Sequence, residues 1–242
     1  MSKLVYYSQE DGRWKNSMYS ITGDKSQTIG TSACGPTSAA MAISSLVGQE
    51  VLPTTASSYA LKNGFRTANS GTSWGFFKSI ANRYGLSCTQ TGSFADVKVA
   101  LTAGKLVIAS MGKGNFTSGG HYILLVGINT KKGVDWIDVY DPNHDNTKYG
   151  TDGKINQGVK NDGKVSAQSS VFASQAKQYW IFDVPKQESD SMEKAKFYVN
   201  DTKLEDGFIL DGRVYVPLRS AGEAFGAKVK WDNKTKTATL TK

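Results

Sequence analysis

Three stretches in the first half of the chain place apolar residues at helical spacing, and a glycine follows each of them. They cover residues 36–47, 74–84 and 94–103, the last with the weakest periodicity. Apolar residues that recur every three or four positions form one face of a helix, and a glycine just beyond the last turn is a common helix stop. The pattern therefore predicts three helices.

Short apolar runs replace this periodicity further along the chain. They occupy residues 106–111, 121–128, 136–141 and 179–184. Runs of this length, rich in β-branched and aromatic residues, are typical of strands. Helices followed by strands predict an α+β fold, with helices packed against an antiparallel sheet. Residues 142–170 are rich in Asn, Asp, Gly and Lys and are predicted to form a long surface excursion.

A polar segment, PKQESDSMEKAK over residues 185–196, almost lacks apolar residues and indicates a linker. We expect a large domain over residues 1–186, a linker over 187–196 and a small α+β domain over 197–242. In the small domain, strand-like runs flank a short helix and an Asp-Gly hairpin signal at 211–212. A domain of this size has a thin core and often depends on a partner or on self-association.

Composition narrows the classes of protein to which the chain can belong. Of its 242 residues, 39% are hydrophobic, which excludes a disordered chain. The formal net charge of +8 favours attraction to polyanions such as anionic cell-wall polymers, although ordinary solvated lysines would give the same charge. No dense basic run and no nucleic-acid motif is present, so we expect no nucleic-acid partner.

No targeting or membrane-spanning segment is visible in the sequence. The longest apolar runs, such as residues 122–128, are far too short to cross a bilayer. The first residues, MSKLVYYSQEDGRW, include no long apolar stretch and no small-residue cleavage site, so we expect no signal peptide. The protein would therefore work in the cytosol or be released by another agent.

Few residues offer nucleophile–base chemistry. The chain has two cysteines, Cys34 and Cys88, and two histidines, His121 and His144. No Cys-x-x-Cys or His-x-x-x-His spacing favours zinc. The spacing Asp141-x-Asn143-x-Asp145 is similar to the start of a calcium loop, but Asn146 stands where such a loop requires glycine. We therefore expect no metal and no other cofactor.

Cys34 stands just before Gly35 and Pro36, where the first predicted helix begins. The positive end of a helix dipole lowers the pKa of a thiol and favours the nucleophilic thiolate. Pro36 suits the first helical turn, and Gly35 permits a close approach of backbone and substrate. The alternative is a buried structural cysteine, because free cysteine is among the most buried residue types.

His121 and Asp141 stand at the ends of two predicted strands. His121 follows two glycines, and a neutral imidazole there could take the thiol proton and later protonate a leaving amine. If the two strands pair, Asp141 would lie close enough to orient the His121 ring. The alternatives are a surface histidine and an Asp-Pro turn.

Several segments, in order, resemble the papain-like cysteine peptidases. They are YYSQEDGRW, TIGTSACGPTSAAM, GTSWGFFKSIANRYGL, LVIASMGKGNFTSGGHYILLVGI and VYDPN, and they span most of residues 4–145. The likeness is to the branch of double-glycine leader peptidases and related domains of phage and bacterial cell-wall proteins. It implies a papain-like fold for the large domain.

The same resemblance assigns roles to four residues. Cys34 matches the nucleophile, His121 the base, Asp141 the residue that orients the base, and Gln9 a donor to the oxyanion hole. Gln27 is closer to Cys34 in sequence and is the alternative donor. Cys88 and His144 match no such motif, so we expect a buried strand residue and a surface histidine.

The C-terminal segment resembles a repeat named after the N-terminal domain of copper amine oxidases. VNDTKLEDGFILDGRVYVPLRSAGEAFGAKVKWDNKTKTATL carries the likeness, and VYVPLR is its most telling part. No His or Cys follows residue 144, so copper has no such ligands there. In bacterial surface proteins these repeats are similar to wall-attachment modules, which implies a wall-binding or oligomerisation domain.

Together these features predict a phage endolysin, a peptidoglycan hydrolase that cuts an amide of the cell-wall peptide by a Cys-His-Asp mechanism. The bond could lie in the stem peptide, in the cross-bridge or between muramic acid and L-alanine. Such an enzyme would stay in the host cytoplasm until lysis and then act on the wall. The alternative is a secreted or surface papain-like protein with a binding role and no wall-lytic activity. A leader peptidase is less favoured, because no transporter membrane segment follows.

Met192 is an unusual residue for a polar linker, where it has no core to fill. The preceding residues 186–188 can be encoded by a purine-rich stretch similar to a ribosome-binding site. A shorter product that starts at Met192 would consist of the small domain and could join full-length chains in a homo-oligomer. The alternative is an incidental methionine.

Overall fold

The structure, a computed structural model, describes residues 3–69, 71–185, 193–210 and 212–242. The chain divides into two units, Met1–Pro185 and Lys186–Lys242. Met192 and Asp211, which belong to the predicted internal start and the predicted hairpin turn, lie outside the described residues. Among the residues that are described, no helix combines the length and the apolar content that a membrane span needs.

The helices of the first unit form where the sequence combines helix starts with apolar faces. They are α1 Ile29–Ser32, α2 Cys34–Val47, α3 Pro53–Lys62, α4 Gly75–Arg83, α5 Phe94–Thr102 and α6 Ser169–Gln175. The three predicted helices are confirmed as α2, α4 and α5. Periodicity did not reveal α3, because Thr and Ser, which favour helices weakly, fill much of its first half.

The strands of the first unit form one antiparallel sheet. They are β1 Ser87–Thr91, β2 Leu106–Met111, β3 His121–Lys131, β4 Val134–Tyr140, β5 Ile155–Asn156, β6 Lys164–Gln168 and β7 Ala176–Asp183. Their order in the sheet is β1-β7-β2-β3-β4-β6-β5. The four predicted strands are confirmed as β2, β3, β4 and β7, and with the helices they confirm the α+β fold class.

The predicted surface excursion over residues 142–170 is partly wrong. It includes β5 and β6, and β6 pairs along its whole length with β4. Val165 and Ala167 of β6 are buried while Ser166 between them is half-buried, as in a strand with one covered face. Only two apolar residues mark this strand, too few to stand out from the polar sequence around it.

Apolar side chains cover both faces of the sheet. Leu124 of β3 belongs to the core beneath α2, whereas its neighbours Ile123 and Leu125 belong to a second core with residues of α5 and α6. Successive strand residues point to opposite faces, so the two cores lie on opposite sides of β3. Helices therefore pack on both faces, and α2, on the face of Leu124, begins at Cys34.

Helix α2 is buried along most of its length and packs on β2 and β3. Ala39, Ala40 and Ala42 are fully buried, and their small side chains allow a close approach to the strands. In its second turn, Ser38 Oγ donates to the carbonyl of Tyr122 at 3.2 Å. This bond fixes the start of α2 against the start of β3, which brings Cys34 beside His121.

The second unit is built from short strands and one helix. They are β8 Glu193–Ala195, β9 Tyr198–Val199, β10 Thr202–Lys203, β11 Gly207–Leu210, β12 Arg213–Tyr215, α7 Leu218–Ala224, β13 Lys228–Asp232 and β14 Thr237–Thr241. Strand β11 lies between β12 and β8, β9 pairs with β10, and β13 pairs with β14. Phe225 and Trp231 are mostly exposed, so the described part of this unit has the thin core expected from its size.

The predicted linker over residues 187–196 lies outside the described residues as far as Met192. Beyond that point, β8 pairs with β11, with Gly207 opposite Ala195. Residues 193–195 therefore belong to a sheet of the second unit, which begins before residue 197. The polar composition of this strand hid it from the sequence pattern.

Candidate active site

Cys34 is the first residue of α2 and lies partly exposed at the edge of a cleft. Gly35 follows it for a steric reason. A Cβ at this position would lie 3.2 Å from Cβ of Thr72 and 3.2 Å from Cδ2 of Tyr122. Because Cys34 begins a 14-residue helix, its thiol sits at the positive end of the helix dipole, which stabilises the charged form of the thiol.

His121 is the first residue of β3, and its side chain is only 10% exposed. Its Nε2 lies 2.7 Å from Oδ1 of Asp141. Nδ1 is thus the ring nitrogen left for Cys34, and the two side chains are close enough for each to shift the pKa of the other. The structure brings Cys34, His121 and Asp141 together in the order that a nucleophile, its base and the orienting carboxylate require.

The Asp141 carboxylate is fully buried and saturated with hydrogen bonds. Beside His121, its partners are the Asn143 backbone N–H at 2.9 Å, the Asn146 side-chain amide at 2.9 Å and the Tyr149 hydroxyl at 3.1 Å. A carboxylate held from four sides fixes the ring that it contacts. Sequence reasoning missed Asn146 and Tyr149, because they lie in a loop without periodicity that folds back over Asp141.

The main chain at Asp141 is held by segments far away in sequence. Tyr6 donates its hydroxyl proton to the Asp141 carbonyl at 2.8 Å, and the Asp141 N–H donates to the Gly163 carbonyl at 2.7 Å. The N–H of Gln9 donates to the Pro142 carbonyl at 2.8 Å. Tyr6 and Gln9, near the start of the first unit, therefore hold the backbone of Asp141 and Pro142 in place.

The pKa values of Cys34 and His121 move in opposite directions. Burial alone raises the pKa of the Cys34 thiol, but His121 and the backbone N–H groups of Tyr122 and Gly35 together bring it below its ordinary value. Burial alone lowers the pKa of His121, but the Asp141 carboxylate and then the Cys34 thiol raise it to about 10. Each partner therefore favours the charged form of the other, as in a thiolate–imidazolium pair.

Gln9, the expected oxyanion donor, is buried next to α1. Its side-chain amide donates to the Gly30 carbonyl at 2.6 Å, and its Oε1 is buried without a partner among the described residues. Gly30 lies one helical turn before Cys34. One N–H of the Gln9 amide remains for a second acceptor.

Gln27, the alternative donor, lines the cleft with Cys34. Its Nε2 donates to the Ala68 carbonyl at 3.0 Å, and its Oε1 accepts from Nη2 of Arg66 at 2.9 Å. Gln27 therefore supports a buried arginine on the cleft wall. Gln27 lines the cleft, whereas Gln9 is not among its described lining residues, so a mutational test has to decide which of the two donates to the oxyanion.

The cleft beside Cys34 and His121 has a volume of about 560 Å³, enough for a few residues of a peptide. Trp74 supplies an aromatic wall, and Arg66 and Lys177 supply positive charge. The described residues that line it include no Asp or Glu. The site therefore suits a neutral or anionic substrate better than a cationic one.

Cys88 has none of these features. It lies in β1 opposite Phe182 and packs against the core beneath α2. Burial raises the pKa of its thiol to about 12, with Lys78 opposing the shift. A thiol that stays protonated is a poor nucleophile, so of the two cysteines only Cys34 has an activating environment.

His144 lies close to two carboxylates outside the cleft. Its Nδ1 lies 3.0 Å from Oε2 of Glu10, and one donor atom each from Glu10, His144 and Asp145 lie within 4.8 Å of one another. These three residues could in principle hold a cation, a grouping that the sequence spacing did not reveal. Asp141, the first residue of the spacing that is similar to a calcium loop, is not part of the group, because its carboxylate bonds His121. We assign no metal to it.

Comparison with protein-family models matches residues 2–166 to the peptidase C39-like family. The chain belongs to this family. Membership indicates a papain-like cysteine peptidase, and the match covers Cys34, His121 and Asp141. A second match joins residues 198–242 to the copper amine oxidase N-terminal domain. Comparison with curated proteins gave no match.

Among solved structures, the peptidase C39-like chain is similar to the peptidase domain of Streptococcus ComA, described as a bi-functional ABC transporter involved in a quorum sensing pathway. The sequences are 16% identical, and the similarity covers 63% of this chain and 91% of the ComA chain. The TM-score is 0.43, too low to carry an argument about activity or substrate.

Proposed function

We propose that this protein is an endolysin-type hydrolase that cleaves an amide bond of bacterial cell-wall peptide. The observation that carries the proposal is the position of His121 between the Cys34 thiol and the Asp141 carboxylate, with the pKa of Cys34 lowered and that of His121 raised. A cysteine, a histidine and a buried carboxylate in this order are the requirements of acyl transfer through a thioester.

The reaction starts from the thiolate–imidazolium pair. The Cys34 sulfur attacks the carbonyl carbon of the scissile amide, and the oxygen becomes an oxyanion. The Cys34 backbone N–H and the side-chain amide of Gln9 donate to that oxygen, as preorganised dipoles aimed at developing charge. His121 then gives its Nδ1 proton to the amide nitrogen, the C–N bond breaks, and the amine leaves while a thioester remains on Cys34.

The second half of the reaction uses the same residues in reverse. Neutral His121 takes a proton from a water molecule, whose oxygen attacks the thioester carbonyl. The C–S bond breaks, the acid product leaves, and Cys34 is again a thiolate beside a protonated His121. Asp141 holds the ring in one orientation throughout and stabilises its charged form.

The proposal of a cell-wall substrate rests on charge and on the second unit. The net charge of +8 favours attraction to anionic wall polymers, and the described residues of the cleft lining include Arg66 and Lys177 and no carboxylate. The match of residues 198–242 to the copper amine oxidase N-terminal domain supports a wall-attachment role for the second unit, because such repeats are similar to modules of bacterial surface proteins.

A zymogram with Gram-positive cell walls tests the proposal. Clearing by the purified protein, with mass spectrometry of the released fragments, would establish wall hydrolysis and identify the amide. A Cys34→Ala protein is the matched control and should not clear the wall. Binding to the wall without clearing, by a well-folded wild-type protein, would refute the hydrolase and favour a papain-like protein with a binding role.

A further inference from the structure

Arg66 is a buried cation on the wall of the cleft that contains Cys34. It is 4% exposed. Its Nε donates to the Tyr19 carbonyl at 2.8 Å, and its Nη2 donates to Oε1 of Gln27 at 2.9 Å. Its Nη1 is buried without a hydrogen-bond partner in the described part of the chain. Three of the five N–H groups of the guanidinium, two on Nη1 and one on Nη2, thus have no acceptor among the described residues.

The positive charge of Arg66 has no carboxylate partner among the described residues, just as its Nη1 has no hydrogen-bond acceptor there. Its acceptors are a carbonyl and an amide, and its guanidinium carbon lies 4.9 Å above the ring of Tyr19. No ion pair joins it to a carboxylate among the described residues, and the described cleft lining contributes no Asp or Glu. Burial of a charge without an opposite charge is costly, so such an arginine points to an anion that arrives from outside.

The surroundings of Arg66 hold its guanidinium in one orientation. Arg66 forms an antiparallel bridge with Thr72, whose Cβ would lie 3.2 Å from a Cβ added at Gly35, next to the nucleophile. Gln27 is itself anchored on the Ala68 carbonyl. The bonds from Nε and from one N–H of Nη2 fix the guanidinium and leave N–H groups on both Nη nitrogens, which can bind the two oxygens of a carboxylate.

We propose that Arg66 binds a carboxylate of the substrate and makes this enzyme selective for acidic peptides that carry a free carboxylate close to the scissile amide. The inference rests on the proposed peptide hydrolysis and deepens it by naming a substrate class. In wall peptides, the carboxylates of the glutamyl residue, the diamino acid and the terminal D-alanine are candidates. Each of them can be converted to a neutral carboxamide without a change of shape, so recognition of the charge can be measured.

Pairs of synthetic stem peptides that differ in one carboxylate or carboxamide test this selectivity. For one position, wild-type kcat/KM should be about 10- to 100-fold higher for the carboxylate form, the range of a hydrogen bond to a charged group. Arg66→Gln should lose that ratio, chiefly by slower cleavage of the carboxylate form. Arg83→Gln is the matched control, because Arg83 also stacks on a tyrosine but lies outside the cleft lining, and it should keep the ratio.

Arg66→Lys covers the possibility that Arg66→Gln does not fold. Lysine keeps the positive charge but lacks the planar pair of N–H donors that matches a carboxylate. A folded Arg66→Lys protein should therefore show a smaller ratio of kcat/KM between the carboxylate and carboxamide peptides than wild type. Thermal melting identifies the folded variants. A wild type without preference at any position, or an unchanged ratio in folded Arg66→Gln or Arg66→Lys, would overturn the proposal.

The same measurements separate this inference from the proposed function. If walls are cleaved while the ratio is insensitive to Arg66, the hydrolase stands and the carboxylate site fails. If no wall peptide is cleaved, matched glutamate and glutamine peptides without wall chemistry take their place. A preference for glutamate that disappears in Arg66→Gln would then retain the carboxylate site and reject the wall substrate. No preference for glutamate, or no cleavage of any of these peptides, would overturn both.

Discussion

Cys34 and His121 depend on each other for their protonation states. The imidazolium stabilises the thiolate, and the thiolate together with Asp141 stabilises the imidazolium. The reactive form of the pair therefore exists before a substrate arrives. The two protonation steps belong to the pair rather than to either residue alone. In a pH profile of activity they are therefore expected as one acid and one alkaline limb.

We expect kcat/KM to follow a bell-shaped pH profile with a broad plateau. As pH falls through the lowered pKa of Cys34, the thiolate gains a proton and activity is lost on the acid side. As pH rises through a value of about 10, His121 loses the proton that the leaving amine needs, and activity is lost on the alkaline side. Rates on a soluble peptide from pH 4 to 11 check this.

Asp141→Asn provides the internal control for the profile. Asp141 is the main cause of the raised pKa of His121, so its neutral replacement should move the alkaline limb to lower pH. An acid limb at the ordinary histidine value near 6.5 in the wild type would mean that neutral His121 acts as the base, which would contradict a preformed ion pair.

Replacement of Cys34 by serine should abolish hydrolysis and leave the fold intact. A hydroxyl has too high a pKa to be activated by the same histidine, and serine fills nearly the same volume. Thermal melting and a soluble-peptide assay measure the two effects. Cys88→Ser should retain activity, because Cys88 lies in β1 away from His121. A fully inactive but folded Cys88→Ser protein would show that the nucleophile is assigned to the wrong cysteine.

Gln9→Ala should lower kcat by about 10²-fold or more, the loss expected for one oxyanion donor. Gln27→Ala should act differently, because it frees Nη2 of Arg66 and should raise KM more than it lowers kcat. Steady-state kinetics of both variants on one peptide distinguish the effects. A larger fall of kcat in Gln27→Ala would exchange the two roles.

At the scale of single elements, the second turn of α2 and the second residue of β3 are joined by the bond from Ser38 to the Tyr122 carbonyl. The corresponding support of Asp141 comes from the residue that precedes β6. Gly163 has a φ of +70°, accepts the Asp141 N–H, and has no room for a side chain, since a Cβ there would collide with the Tyr6 hydroxyl. A substitution at Gly163 is therefore expected to displace Asp141 and, through it, the ring of His121.

Gly163→Ala should lower kcat/KM by about 10-fold or more, because a displacement of Tyr6 moves the Asp141 carbonyl and the ring of His121 with it. It should also lower stability by about 1–3 kcal/mol from backbone strain. Gly158→Ala is the matched control, with a φ of +61° and open space around its Cβ. That variant should lose stability and keep kcat/KM. Equal kinetic loss in both variants would show that strain, and not the contact with Tyr6, is responsible.

The helices and strands with strong periodicity could be predicted from sequence, whereas the residues that hold the catalytic side chains in place could not. The apolar runs of β3 and β4 predicted that His121 and Asp141 stand at the ends of two strands, and the resemblance to papain-like peptidases joined Cys34, at the start of α2, to them. Asn146 and Tyr149 were missed because they contact Asp141 through a turn whose path no spacing specifies. Arg66 was missed because nothing in its local sequence shows that its charge is buried.

At the scale of the whole molecule, the two units divide binding and chemistry in our proposal. All residues assigned to the reaction lie before Pro185, and the second unit contributes none of them. The prediction that the second unit attaches the enzyme to the wall follows from its sequence match and remains to be tested. Such attachment would raise the local concentration of the catalytic unit at its substrate.

Removal of residues 188–242 should weaken wall binding and lysis at physiological salt without slowing cleavage of a small soluble peptide. Sedimentation with purified walls, turbidity loss and a soluble-peptide assay measure the three quantities side by side. A thermal melt of the shortened protein shows whether the first unit keeps its fold. Equal loss of activity on the soluble peptide would indicate that the second unit completes the catalytic fold.

The position of β7 in the sheet has a consequence for when the enzyme becomes active during its own synthesis. This last strand of the first unit lies between β1 and β2, and the Tyr6 hydroxyl bonds a carbonyl 135 positions later. A ribosome releases the chain from its N-terminus, so Cys34 emerges long before the strand that closes the sheet. Contacts of such long range form late in folding. A nascent chain would therefore carry an inert thiol until residue 183 is free, and a translation product that ends at residue 166 would lack the strand that joins β1 to the rest of the sheet.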